Sequence, residues 1–428
     1  MKRIVILLLL QGYLMAATLL HVDVNGVKVP VIFEQDKNLP LATVEFIFRD
    51  SGALASKKAG LASLSADLLN EGTKKEGSFK FAKDLEDRAI EFSTNVGRET
   101  FVFTIESLKE QFDFGLKKLM ELLNDPNYTQ EAFKSVQQKR LGILARKKDD
   151  FDYIAANGLR SLLFPNTPLA LPQLGTIESI KSLELKDLED FIKSHLFLNN
   201  LIVVVGGDFT QEEVQKLTKE FATNLKQGKV EPIPHFRVSE KNTTKEQYEP
   251  TKQAYIYFGA PYDINVSDKR QKVIGKVASF VLGSSGFGSR LMEEIRVKRG
   301  LAYSAYSRFV VNKTHQYFSG YLQTKLESQK EAMDVVQKVI DDFIQKGITK
   351  EELEAAKKFF LGSEPLRSET LSQRLNRAFH EYYSGLGLNF AQEELAIIER
   401  LKLDEVNEFI KNHPEIKQLS FFVVTAKK

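Results

Sequence analysis

The sequence contains no cysteine, which rules out disulfides and thiol chemistry and is compatible with an extracytoplasmic home. It also lacks a dominant charge: 60 Lys and Arg stand against 57 acidic residues, and a net charge of +3 makes no field that would select nucleic acid or an anionic membrane. Histidine is sparse. The six, His21, His195, His235, His315, His380 and His413, are scattered with no two at helical-turn spacing, so they read as surface or packing residues. A catalytic zinc needs about three ligands from His, Glu, Asp or Cys plus an open position for water. Beyond the first residues, no apolar run approaches the roughly 20 residues of a membrane-spanning helix.

What is present describes an ordinary folded chain. Its 428 residues, 43% hydrophobic and 27% charged, are enough for two or more domains with a large core. Residues 1–17 combine a basic start, a short apolar run and small residues near Ala16 and Ala17, the pattern of a secretory signal. A periplasmic or other envelope location follows as an expectation.

The chain then repeats itself. An apolar strand near Thr100 to Thr104 leads through Ser107-Leu-Lys-Glu into a helix ending near Leu123, and Tyr128-Thr-Gln-Glu-Ala-Phe133 opens another. Later, Tyr317 to Leu322 precedes Ser328-Gln-Lys-Glu and a helix to about Ile344, and Ile348-Thr-Lys-Glu-Glu-Leu353 opens the next, with Thr349 and Glu352 at capping-box spacing. Apolar strands, Leu201 to Val205 and Ser420 to Thr425, close both stretches. Strands with period-two alternation, as at Val44, Phe46 and Phe48, mix with long amphipathic helices, so each half is α+β. The expected division is a first half over 18–227, a polar linker over 228–252 without helical or strand periodicity, and a second half over 253–428.

Four blocks carry a resemblance. They are Gly60-Leu-Ala-Ser-Leu-Ser-Ala-Asp-Leu-Leu-Asn-Glu-Gly-Thr73, Leu171-Pro-Gln-Leu-Gly-Thr-Ile-Glu-Ser-Ile180, Asn200-Leu-Ile-Val-Val-Val-Gly-Gly-Asp208 and, strongest, Gly288-Ser-Arg-Leu-Met-Glu-Glu-Ile-Arg-Val-Lys-Arg-Gly-Leu-Ala-Tyr-Ser304. Together they resemble the M16 peptidase family, of the pitrilysin or mitochondrial-processing-peptidase type (M16B), from about Leu20 to the end. The resemblance implies two α/β-roll halves facing each other like a clam shell around a chamber.

In inverted zinc peptidases an H-x-x-E-H helix supplies two imidazoles and a general base. The corresponding positions here hold Ser63, Ala66 and Asp67. The family's third ligand is a Glu on a later helix, and the similar stretch is Gln138-Lys-Arg-Leu-Gly-Ile-Leu-Ala145. Depending on register, the ligand position is Leu144 or Ala145, and Gln138 replaces a supporting carboxylate. Asp67 alone could still touch a cation. The resemblance therefore implies no zinc on this chain, and Leu61, Leu64 and Leu68 would keep the helix as a packing element.

In the second half, Arg296 and Tyr303 lie seven residues apart around Gly300. Ser289 to Arg296 reads as a helix that Gly300 ends in a left-handed conformation, and Leu301 to Ala305 reads as a strand, so the chain reverses. The two side chains could then converge and donate hydrogen bonds to a peptide carbonyl or an oxyanion. In the M16 family, the resemblance implies, this pair faces the zinc across the chamber. Lys298 and Arg299 read as solvated helix-end cations. Gly283-Ser-Ser-Gly-Phe-Gly288 lacks Gly-Lys-Ser/Thr and dinucleotide-fold spacing, which leaves a tight turn or the family's glycine-rich substrate segment, here short.

Three functions fit. The favoured one is a zinc-free subunit of a heteromeric M16B metallopeptidase, with Arg296 and Tyr303 completing a site on an H-x-x-E-H partner that carries the zinc, and a peptide or unfolded polypeptide as substrate. The others are a catalytically inactive peptide-binding or scaffold protein, and an endopeptidase with an unorthodox metal site.

Overall fold

A computed structural model describes residues 17–427. The expected leader, residues 1–17, lies outside the described residues except for Ala17.

The first sheet runs in the order β1-β2-β6-β3-β5-β4, with β1 Thr18–Val24, β2 Val27–Gln35, β3 Leu41–Arg49, β4 Glu91–Val96, β5 Thr100–Leu108 and β6 Leu201–Gly207. The second runs β7-β11-β8-β10-β9, with β7 Thr244–Tyr248, β8 Gln253–Ala260, β9 Ala302–Val311, β10 Gln316–Lys325 and β11 Ser420–Thr425. The expected repeat is visible in the pairing. In each sheet the closing strand (β6 or β11) lies parallel to one neighbour (β2 or β7) and antiparallel to the other (β3 or β8). Three antiparallel strands then follow in both, with the last of them in sequence (β5 or β10) lying between the other two.

That equivalence changes the linker. Thr244–Tyr248 lies inside the stretch read as 228–252, yet it forms β7, the counterpart of β2. It escaped the pattern because an edge strand solvated on both faces has no apolar side to alternate; its sequence is Thr-Lys-Glu-Gln-Tyr. Upstream, Phe236 also bridges to His315, so the connection is bound to the second half.

The two closing strands are apolar throughout because both faces are covered. On β6, Leu201, Val203 and Val205 enter the first core while Ile202 and Val204 meet the helix Leu371–Tyr383 through Leu375, Ala378 and Phe379. On β11, Phe421 and Val423 enter the second core while Phe422 and Val424 meet the helix Phe151–Leu163 through Ala155, Leu159 and Leu163. Each half thus lends a helix to the outer face of the other's sheet. Both crossings are tight. A Cβ on Gly158 would fall 2.4 Å from the Phe422 ring, and one on Gly206 would fall 2.4 Å from Leu375 Cδ1. At the second crossing Arg374 pairs with Glu34, at 2.5 Å, and with Asp36, at 3.0 Å.

Candidate functional site

The degenerate-motif helix spans Leu61–Leu69, started by Gly60 at φ 83°. A glycine is required there for a second reason: its Cβ would sit 2.7 Å from Ile180 Cδ1 and 2.9 Å from Gly175 Cα. Leu61, Leu64 and Leu68 are buried in the first core, as the sequence led one to expect.

Ser63 and Asp67 face the helix Gln130–Arg146, and the residue that meets both is Arg140; Ala66, between them, is buried in the first core. Its guanidinium, 5% exposed, donates from Nη1 to Ser63 Oγ at 2.8 Å and to the Leu174 carbonyl at 3.2 Å. Its Nη2 donates to Asp67 Oδ2 at 2.5 Å. The Ser63 hydroxyl also lies 2.8 Å from the Gln173 carbonyl. Burial pushes the Asp67 carboxyl above its ordinary range, against the pull of Arg140. A second ion pair, Lys139 to Glu71 at 2.6 Å, ties the helix Gln130–Arg146 to the turn after Leu69.

The helix also decides the register of the third position. Leu144, one turn beyond Arg140, is 6% exposed and packs in the core, whereas Ala145 and Gln138 face solvent. Of the two candidates, Leu144 is the one that faces the core shared with the helix Leu61–Leu69.

These donors do not fit zinc. Asp67 is the sole anionic group among the three motif positions, its Oδ2 is bound to a guanidinium, and Ser63 accepts from the same cation. A dication there would have to displace a buried positive charge. Among the described residues no three His, Asp or Glu side chains come together as a metal-binding group. The cation that Asp67 meets is Arg140. Sequence reading missed it, although Val136, Arg140 and Leu144 recur every fourth residue, a charge on an otherwise apolar stripe.

In the second half, the expected single helix at 289–296 is one α-turn, Arg290–Met292, continued by a π-helical turn, Glu293–Val297. Gly300 ends it at φ 62°, with its N–H on the Arg296 carbonyl at 3.0 Å, and β9 begins at Ala302. Arg296 and Tyr303 do converge. The guanidinium carbon lies 4.2 Å from the Tyr303 ring centroid and 4.6 Å from that of Phe287, so Arg296 is held between two exposed rings. Tyr303 is 82% and Phe287 69% exposed. Glu294 binds both Lys298 and Arg299, at 2.6 and 2.5 Å, and none of the ion pairs among the described residues includes Arg296. Phe287 was not expected from the sequence. It is presented by the glycine segment, where Gly286 and Gly288 take φ 68° and 90°. A Cβ on Gly283, in the π-helical turn Phe280–Ser284, would fall 2.1 Å from Ser307 Oγ, whereas a Cβ on Gly286 or Gly288 would meet nothing within 4 Å, so the segment is packed only at its start.

Of the histidines, His195 stacks on Phe191 at 4.2 Å and His413 packs on Phe409 at 4.2 Å. His315 lies between Phe164 and Tyr317, where the halves meet. Among the described residues no hydrogen bond or ion pair joins the Arg140 cluster to the Arg296 pair.

Two family models match. Residues 31–176 match the one described as insulinase (peptidase family M16), and residues 182–360 match the one described as peptidase M16 inactive domain. A Helicobacter pylori protein named non-peptidase homolog YmxG is 46% identical, over all of this chain and 99% of its own length. An uncharacterized zinc protease of Bacillus subtilis, also named YmxG, is 22% identical across 74% of this chain and 76% of its own. Among solved structures, a peptidase M16 inactive domain from Pseudomonas fluorescens superposes with TM-score 0.87 at 21% identity, covering 96% of this chain and 98% of that one. A protease from Helicobacter pylori gives 0.81 at 17% identity, covering 96% and 100%.

Proposed function

Because the chain belongs to the M16 peptidase family, we propose that it is a catalytically inactive member, an M16 shell that binds peptide or a partner without hydrolysing it. The observation that carries this reading is Arg140, whose buried guanidinium is bonded to both surviving polar positions of the former motif. A general base and a water activated by zinc have no place to assemble around it. The 46%-identical relative's name, non-peptidase homolog, points the same way. The test is metal analysis and peptide hydrolysis by the purified chain. We expect no stoichiometric zinc and no cleavage, with extended peptides still bound; metal-dependent cleavage by this chain alone would sink the proposal.

One observation favours a second reading. Arg296 and Tyr303 converge at the surface with donors free for a peptide carbonyl, which suits a chain that completes a zinc site carried by an H-x-x-E-H partner. Mixing with such a partner, sought in the envelope fraction to which residues 1–17 point, would then create activity. Arg296→Ala would lower that activity about a hundredfold, the usual loss for one oxyanion-stabilising donor. Unchanged activity would leave the inactive-shell reading alone. Because Tyr303 is 82% exposed, Tyr303→Phe is expected to change folding stability by less than about 0.5 kcal/mol, so any effect on binding is separable by urea titration.

A further inference from the structure

The face of the second sheet turned away from the second core carries aromatic residues where a solvated face usually carries polar ones. Tyr257 on β8, Tyr321 on β10 and Tyr306 on β9 stand side by side, with ring centroids 5.5 and 6.0 Å apart. The helix Phe151–Leu163 lies over the β11 and β8 side of this face and reaches β10 through Asp152 and Gln323. Beside it an open cavity of about 370 Å³ remains, walled by those three tyrosines, Tyr317, Arg160 from the helix and Arg308 from β9.

Its lining carries two arginines and no carboxylate. A third arginine, Arg98 in the turn between β4 and β5, lies behind Arg160; burial lowers both, and the charge of Arg160 adds to the lowering of Arg98, to about 10. None of the ion pairs among the described residues includes Arg98, Arg160 or Arg308. Arg160 donates from Nη2 to Asn157 Oδ1 at 2.5 Å, and its buried Nε has no partner. The nearby carboxylates are taken by neutral donors. Asp152 accepts from Tyr257 Oη at 3.0 Å and from Gln323 Nε2 at 2.7 Å, and Glu99 accepts from Thr314 Oγ1 at 2.5 Å. The partly buried guanidinium groups of Arg98 and Arg160 are costly without a counter-ion, and an anion bound at Arg160 would offset that cost.

We infer that this cavity binds a peptide carboxylate, an acidic side chain or a chain end, with Arg160 and Arg308 as its ligands and the tyrosines packing the flanking residues. The guanidinium fork matches a carboxylate, and the Tyr306, Tyr317 and Tyr321 hydroxyls on the wall add donors, the Tyr257 proton being held by Asp152. The aromatic walls and the volume suit a peptide better than a bare inorganic oxyanion. Tyr303 precedes Arg308 by five residues on the same strand, roughly 17 Å at the strand rise. A peptide held by Arg296 and Tyr303 could therefore place its carboxylate in the cavity. The inference rests on the peptide-binding reading and gives it a substrate class.

The test is fluorescence anisotropy of the full chain with a labelled extended peptide rich in glutamate, beside its Glu→Gln and C-terminally amidated forms. Binding of the acidic peptide should weaken about tenfold or more on removal of the responsible carboxylate, the size expected for a lost charged hydrogen bond. Which form loses affinity tells a side chain from a chain end. Arg308→Gln, an exposed position with little risk to folding, should bring the acidic peptide to the affinity of the Glu→Gln peptide and leave the latter unchanged. Peptide binding indifferent to charge, or an equal loss from Lys330→Gln on the remote surface, would overturn the inference while the peptide-binding reading stands. Competition by inorganic phosphate as strong as by the acidic peptide would also overturn it. Absence of any peptide binding would overturn both.

Discussion

Arg140 is the residue on which the reading of the first half turns. Its 5% exposure and its bonds to Ser63, Asp67 and the Leu174 carbonyl make it a structural cation among the motif positions. Arg140→Ala is expected to cost about 2 kcal/mol in urea unfolding, the range for hydrogen bonds to a charged group; Asp67, itself 39% exposed, can return to water and limits the loss. Reinstating only the motif, with Ser63→His, Ala66→Glu and Asp67→His together, is expected to give no tight zinc site in equilibrium dialysis, because Arg140 and Leu144 still occupy the helix that must supply the third ligand. Sequence showed that ligands were missing. What had replaced them depended on a contact between residues 73 positions apart.

At the scale of elements, local signals were the most legible. Thr349 and Glu352 form the expected capping box, with Thr349 Oγ1 accepting from the Glu352 N–H at 3.2 Å and Glu352 Oε2 accepting from the Thr349 N–H at 2.7 Å. The same Glu352 carboxylate also binds Arg290 through two bonds of 2.7 Å, which ties this helix to the turn leading to Arg296. Thr349→Ala should therefore cost about 1 kcal/mol as a lost cap, while Glu352→Ala should cost more, about 2 kcal/mol, because it also removes a bidentate pair. Equal losses in thermal unfolding would show that the Arg290 pair contributes nothing. Two features of the elements were not legible. The π-helical turn at Glu293–Val297 has no sequence period of its own, and β7 has no buried face to mark it.

Across the whole molecule, stability depends on the exchange of helices between sheets. Glu34 is 1% exposed and burial raises its carboxyl, against the pull of Arg374 from the other half of the chain. Arg374→Ala would leave that carboxyl without its main partner, and about 3 kcal/mol of destabilisation is expected from urea titration. Arg374→Ala with Glu34→Gln should recover part of it. His315 makes the junction sensitive to acid. Burial, then the charges of Arg98, His235 and Arg160, hold it near 4, and Glu99 faces it only through Thr314. With an unfolded value near 6.5, neutral His315 contributes stability that is complete above pH 6.5 and lost as pH falls through about 4. His315→Gln should flatten the thermal midpoint between those pH values; an unchanged slope would refute the assignment.

The sequence by itself determined the family, the α+β halves and their repeat, the missing ligands and the convergence of Arg296 with Tyr303, because each is written in short-range spacing or in aligned blocks. The tertiary structure alone decided that Arg140 is bonded to both Ser63 and Asp67, that Phe287 completes the clamp on Arg296, and that Arg98, Arg160 and Arg308 gather with no acidic partner. These depend on packing between residues far apart in the chain, where a charge is read correctly only once its neighbours and its burial are known.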